Sequence, residues 1–305
     1  MPVQTKDMRS GILFAVSAYV LWGFLPMFWK LLDDVNPMEV LAHRIIWSFL
    51  FMIVLLLAIK QFRSFLDVCR NIIRKRKDLI GITIAALVIS LNWFIFIWAV
   101  ANEHVLQASL GYYINPLVSI FLGIIILREK VDTRQTLAFI LCIVGVLYLT
   151  FSAGVFPWIS LILAFSFGIY GLLKKKVDIS ATHGLALETM IVTPLALIYL
   201  LFLPEHTFTL ATDFAIASTN LLLIASGLAT AIPLLLFAKG AKSIPLSMVG
   251  ILQFINPTII FILGVFVYRE PFSMENLIAF LFIWFAVFLY LSSIYQHPAK
   301  KRANV

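Results

Sequence analysis

Residues 115–129 read NPLVSIFLGIIILRE and residues 256–270 read NPTIIFILGVFVYRE, so Asn-Pro, Gly and Arg-Glu recur at one spacing, 141 positions apart. Each copy closes an apolar run. A looser register of 145 positions relates Gly23 to Gly168, Lys30 to Lys175 and His43 to Glu188. Five identities at fixed spacing indicate a duplicated unit, with halves 1–151 and 152–305.

Outward from these segments, apolar windows between charged or turn-rich breaks predict ten spans: 11–32, 39–59, 79–100, 105–127, 135–151, 157–173, 183–203, 217–238, 245–267 and 274–294. A bilayer crossing takes roughly 20 apolar residues. Runs of this length are helices, because only helices and closed barrels satisfy every backbone group in lipid and barrel strands are shorter. Of 305 residues, 62% are hydrophobic and 12% charged, against about 25% charged in soluble domains, which excludes a cytosolic enzyme or a disordered chain. The first run, 11–32, exceeds a signal-peptide core and no A-x-A site follows it, so it reads as a span.

The net charge of +8 serves topology rather than nucleic acid. With the N-terminus inside, 20 of the 23 Lys and Arg residues fall on the cytoplasmic side, Lys30 and Arg269 fall outside, and Arg44 lies within the second span. The positive-inside rule therefore places both termini in the cytoplasm. Five helices per half is an odd number, so the second half is inverted relative to the first. Inverted repeats are an architecture of secondary transporters, with the site at the interface between halves. Two cysteines, Cys69 in a basic loop and Cys142 in a span, form no disulfide framework, and no metal-spaced cluster or cofactor motif is present.

Trp22-Gly23-Phe24, Ala42-His43-Arg44, Asn92-Trp93, the segment from Gln107 to Leu117, the segments 229–233 and 253–257, and Arg269-Glu270-Pro271 together carry a resemblance. The chain resembles the RarD branch of the drug/metabolite transporter superfamily, whose halves are called EamA domains. The resemblance runs nearly end to end. It implies an all-α bacterial inner-membrane protein with ten helices, both termini cytoplasmic, and exporter-like handling of small metabolites or drugs.

Charges within a bilayer cost about 2.5–3.5 kcal/mol each on insertion scales, so each asks for a reason. Arg44 and His43 lie about one turn into the second span, and Glu188 between one and two turns into the seventh. Arg44 is a candidate for an anionic group, with Glu188 and His43 candidates for proton coupling; interfacial snorkelling is the alternative reading. Gln107, Gly111, Asn115 and Ser119 share one face of the fourth span, with Tyr112 and Tyr113 beside it. Gln253, Asn256 and Pro257 repeat the pattern in the ninth. Such stripes either line a polar path or form the small-residue seam on which membrane helices pack. Trp22, Trp47 and Trp93 lie too deep for an aromatic belt and offer stacking surfaces or core packing, whereas Trp29, Trp98 and Trp158 read as belt anchors. Asn92 is expected to hydrogen-bond across helices.

These features predict a secondary transporter of small amphipathic molecules, with a lipid bilayer and a small-molecule substrate as partners. An intramembrane lipid-modifying enzyme needs clustered acid and base groups, and His43 and Glu188 are predicted near opposite faces. A non-transporting scaffold is the third reading. Reporter fusions at Lys75, Lys175 and the C-terminus are expected to report cytoplasm, and fusions near Glu103 and Glu205 the opposite side. A cytoplasmic signal from Glu205 would break the ten-span reading and the inversion with it.

Overall fold

The computed structural model describes residues 5–102, 104–154, 156–209, 214–269 and 274–296. Glu103, Glu270, Pro271 and the basic tail of Lys300, Lys301 and Arg302 lie outside the described residues. All regular structure among the described residues is helical: α1 (Thr5–Trp29), a 3-10 turn (Lys30–Leu32), α2 (Pro37–Ala58), α3 (Phe62–Ile72), α4 (Arg76–Ala101), α5 (Val105–Ile125), α6 (Thr133–Ser152), α7 (Trp158–Lys176), α8 (Ala181–Leu201), α9 (Phe214–Ser243), α10 (Leu246–Gln253), α11 (Ile255–Phe266) and α12 (Met274–Gln296). Ten helical stretches are long and apolar enough to cross a membrane, with α10 and α11 forming one of them. These ten coincide with the predicted spans to within a few residues at most ends.

Local chemistry sets the boundaries. Asn36 accepts a hydrogen bond from the Met38 amide at 2.9 Å, and Pro37 occupies the first turn of α2, where its missing N–H costs nothing. Asp132 and Gln135 form a capping box at the start of α6. Ser180 accepts from the His183 amide at the start of α8. The ninth span breaks at Phe254, ahead of Pro257, which has no N–H to return to the Gln253 carbonyl and whose ring crowds that position. The matching Pro116 leaves α5 unbroken, so the shared Asn-Pro pair has two structural outcomes.

The element absent from the predicted spans is α3. At eleven residues and with a polar face, it is too short and too mixed for an apolar window, yet Phe65 and Ile72 are buried against the bundle. Cys69 therefore lies on this helix rather than in a loop.

The tightest helix pairs are α5 with α7, α6 with α12, α1 with α9, α2 with α8 and α9, and α5 with α10. Each joins the first five spans to the last five, so the two halves of the chain are interleaved. Small residues permit the close approaches, as expected where dispersion replaces the hydrophobic effect between helices. A Cβ on Gly227 of α9 would lie 2.4 Å from both the carbonyl carbon and the Cβ of Trp47 in α2. Beside it, Ser48 Oγ donates to the Gly227 carbonyl at 2.9 Å. At Gly184 of α8 an added Cβ would meet only ordinary contacts, the nearest at 3.6 Å.

Gly227→Ala is thus expected to lower the melting temperature of the detergent-solubilised protein, because backbone must move to admit the methyl group. Gly184→Ala is expected to leave it unchanged or raise it slightly, alanine being about 1 kcal/mol better within a helix. Equal melting temperatures for the two variants would contradict this packing.

Candidate functional site

Lys174 of α7 and Glu188 of α8 meet inside the bundle, with Nζ to Oε1 at 2.7 Å, and both side chains are about 2–3% exposed. The Tyr170 hydroxyl donates to the other carboxylate oxygen at 3.1 Å. Tyr170 and Lys174 are one turn apart on α7, so both reach one point on α8. Lys174 belongs to the run Lys174-Lys175-Lys176, which the charge count assigned to the cytoplasmic side. Here it is a buried ion-pair partner, because the helix continues through the run and turns this residue inward. Its neighbours are also engaged. Lys175 Nζ donates to the carbonyls of Ile244 at 2.6 Å and Ala241 at 3.3 Å near the end of α9, while Lys242 of α9 donates to the Val177 carbonyl at 2.7 Å, past the end of α7. Each lysine satisfies terminal carbonyls of the other's helix, the groups a helix end leaves unpaired.

Glu188 borders two cavities. One lies among α2, α4, α7, α8 and α9 and is lined by Ser48, Trp93, Tyr170 and Thr189 together with apolar side chains. The other is lined by Lys174, Val177, Ser180 and Lys242. The ion pair stands between them.

Trp93, in the wall of the first cavity, supports Arg44. The guanidinium carbon lies 5.0 Å from the Trp93 ring and 4.4 Å from that of Trp29, and Nε donates to Thr230 Oγ1 of α9 at 3.0 Å. No carboxylate among the described residues pairs with it. Tyr112 of α5 is within electrostatic reach. Arg44 stands seven residues beyond the start of α2 at Pro37, two turns rather than one. Trp29, read from position as a belt anchor, is instead one plate of the arginine's aromatic support.

Beyond this geometry, comparison with known proteins places the chain. The model of the EamA-like transporter family matches it twice, over residues 9–151 and 157–292. The chain belongs to that family. It is 43% identical to the uncharacterized transporter YojE of Bacillus subtilis, over 95% of this chain and 96% of that protein. Identity to the protein RarD of Escherichia coli is 42%, with the same coverage of each chain. The chloramphenicol-sensitive protein RarD of Pseudomonas aeruginosa is 28% identical over 92% of both chains. A solved crystal structure superposes with a TM-score of 0.70 at 19% identity, covering 92% of this chain and 97% of its own, a likeness of fold. The chain is thus a multi-pass membrane transporter of the RarD branch, not an enzyme.

Within this EamA-like bundle the other candidate residues are dispersed. His43 faces Glu39 at 3.8 Å and lies against the Phe208 ring, far in sequence and partners from Glu188. Glu39, at the edge of the predicted span, is buried and accepts from the amide and hydroxyl of Thr207, both at 2.8 Å. Trp22 packs on Tyr19, Phe167 and Phe237 in an aromatic cluster continuous with Tyr170, away from Arg44. Trp47 lies against Phe208. Gln107 accepts from the Ile159 amide, and its own carbonyl accepts from Ser160, so it staples α5 to the start of α7. Asn92 donates to the Leu163 carbonyl and to Ser166, both at 2.8 Å, the predicted cross-helix bond. Asn115, Gln253 and Asn256 are buried, and the side-chain carbonyl oxygen of each lacks a hydrogen-bond partner among the described residues. Arg44, Trp93 and Tyr112 converge; His43, Trp22 and Gln107 do not join them.

Breaking a buried ion pair by removing one partner typically costs about 3–5 kcal/mol, whereas replacing both with apolar groups is often near neutral. Lys174→Met alone is therefore expected to lower the melting temperature strongly, and the double variant Lys174→Met/Glu188→Leu to recover most of the loss. A double variant no more stable than the single one would show that the pair is not the dominant interaction here.

Proposed function

We propose that the chain is a secondary transporter working by alternating access, exporting small amphipathic metabolites or drugs across a bacterial inner membrane. In this reading the halves 1–151 and 152–305 are inverted repeats, and both termini face the cytoplasm. The observation that carries the proposal is the ion pair between two cavities. A transporter needs a sealed point between its compartments that can be unmade, and a pair of charges in low dielectric is strongly held until one charge is removed.

The repeat reading is supported by the two successive family matches and by the shared backbone of its markers. Arg128 and Arg269, 141 positions apart, both adopt left-handed backbone, with φ of 52° and 54°. Positive φ is uncommon for a residue with a side chain, so the coincidence at equivalent positions is informative. Asn115 and Asn256, also equivalent, are both buried at 8% and 7% exposure.

Glu188 is the proposed coupling site. Protonating its carboxylate removes the charge that holds Lys174, leaving a buried ammonium whose low-energy recourse is water or a new partner. Proton arrival and release of the seal then become one event. His43, already facing Glu39, is retained only as a secondary titratable group at the other end of α2. The residues around the first cavity, with Arg44, Trp93 and Tyr112 at one end, are the proposed binding region.

Proteoliposomes bearing wild type or Glu188→Gln, supplied with a bacterial metabolite extract and read by mass spectrometry, test the coupling. Glutamine keeps an acceptor for Lys174 and Tyr170 while removing the titratable charge. Accumulation driven by a pH gradient is expected in wild type and absent in the variant, while downhill counterflow persists in both. Undiminished gradient-driven accumulation in the variant would return Glu188 to a structural role.

A further inference from the structure

Arg44 lies beside Trp93, a wall residue of the first cavity, and no carboxylate among the described residues pairs with it. Its Nε donates to Thr230, and its guanidinium carbon lies over the rings of Trp29 and Trp93. Neither Nη amine finds an acceptor among the described residues. The arrangement holds the guanidinium plane rigidly while leaving its fork available. A guanidinium over aromatic faces keeps its donors in its own plane, where they match two oxygens of one acceptor group.

We propose that this fork receives the carboxylate of a monoanionic substrate whose flat apolar body lies against Trp93 and the apolar wall of the cavity. The proposal deepens the transport reading above and relies on it for the word substrate; the binding itself is an equilibrium property.

Charge balance narrows the class. In the cavity wall Glu188 already has Lys174, so that pair contributes no net charge. The binding region thus carries one uncompensated positive charge, which a monoanion neutralises. A zwitterion would bring an ammonium group to a cavity whose acid is already taken. A phosphate monoester, close to doubly charged at neutral pH, would leave one of its charges unmatched by a single guanidinium. His43, next in sequence, is turned to Glu39 and Phe208 instead. Apolar lining by Ile45, Ile89, Val192 and Leu234 suits a ring or short hydrocarbon rather than a sugar.

An anionic lipid headgroup shares the negative charge, so the test separates the two sources. Purified full-length protein in phosphatidylcholine nanodiscs is titrated with benzoate, benzyl alcohol, benzylamine and phenyl phosphate, following tryptophan fluorescence and the melting temperature. Benzoate is expected to give a saturable response in both, well above that of the other three. Arg44→Lys keeps the charge but loses the fork, and is expected to weaken benzoate binding by about tenfold or more. Arg44→Gln is expected to abolish it. Equal responses to benzoate and benzyl alcohol in wild type, which need no variant to fold, would overturn the proposal. So would a benzoate response preserved in a folded Arg44→Gln protein. Loss of the benzoate response when phosphatidylglycerol replaces part of the lipid would assign the site to a headgroup and overturn it too. Benzoate binding without metabolite transport would leave this inference standing and sink the transport reading; transport without anion preference would do the reverse.

Discussion

Hydrocarbon offers no hydrogen bonds, so the backbone groups carried into the bilayer must be answered within the chain. That requirement organises this bundle. Helix ends are closed by side chains from distant segments: Glu129, after α5, accepts from the amides of Leu246 and Ser247 at 2.6 and 2.9 Å and so caps α10. Gly123 makes room for that contact, since a Cβ there would lie 2.7 Å from the Glu129 carboxylate. Lys175 and Lys242 serve each other's helices in the same way, and Gln107 serves α7. A carboxylate at a helix start and ammonium groups at helix ends also match the sign of the helix dipole. The same cross-links that satisfy the backbone bind the two halves of the chain together.

Polar groups beyond those needed for satisfaction then stand out. The Lys174–Glu188 pair replaces what a few apolar side chains would do at less cost, and Arg44 has aromatic company without a counter-charge. Buried ionisable residues of this kind are expensive and cluster where membrane proteins handle ions and substrates. Trp93 links the two, lining the cavity that Glu188 borders and lying against Arg44.

Much of the fold was legible in the amino-acid pattern, because ten apolar runs of membrane length leave few alternatives. Asn92 was legible too: an amide deep in an apolar run has to find a partner on another helix. The rotation of each helix about its axis was not legible. Lys174 sits in a lysine run that reads as a helix end, and only its orientation into the bundle reveals an ion pair. Trp29 lies at interfacial depth, so position alone suggests a belt anchor, although its ring supports Arg44. Thr230 and Tyr170 carry no marker in their local pattern. Gln107 fits a polar stripe, yet the facing start of α7 claims its amide. The amphipathic α3 escaped because its few buried residues, Phe65 and Ile72, lie two turns apart in a polar stretch.

The interruption at Phe254 divides one membrane crossing between two neighbours. Below it, α10 is held against α5, where Gly250 meets the Pro116 carbonyl; above it, α11 lies on α1, where Ile259 covers Gly23. Pro257 has already removed the donor that would reach the Gln253 carbonyl, and only the 3.4 Å bond from the Phe254 amide to Ile251 and the 3.2 Å bond from the Thr258 amide to Phe254 continue the ladder past the break. The weakened ladder at Phe254 thus lets one crossing serve two neighbours, with α10 following α5 and α11 following α1 while the chain between them stays continuous.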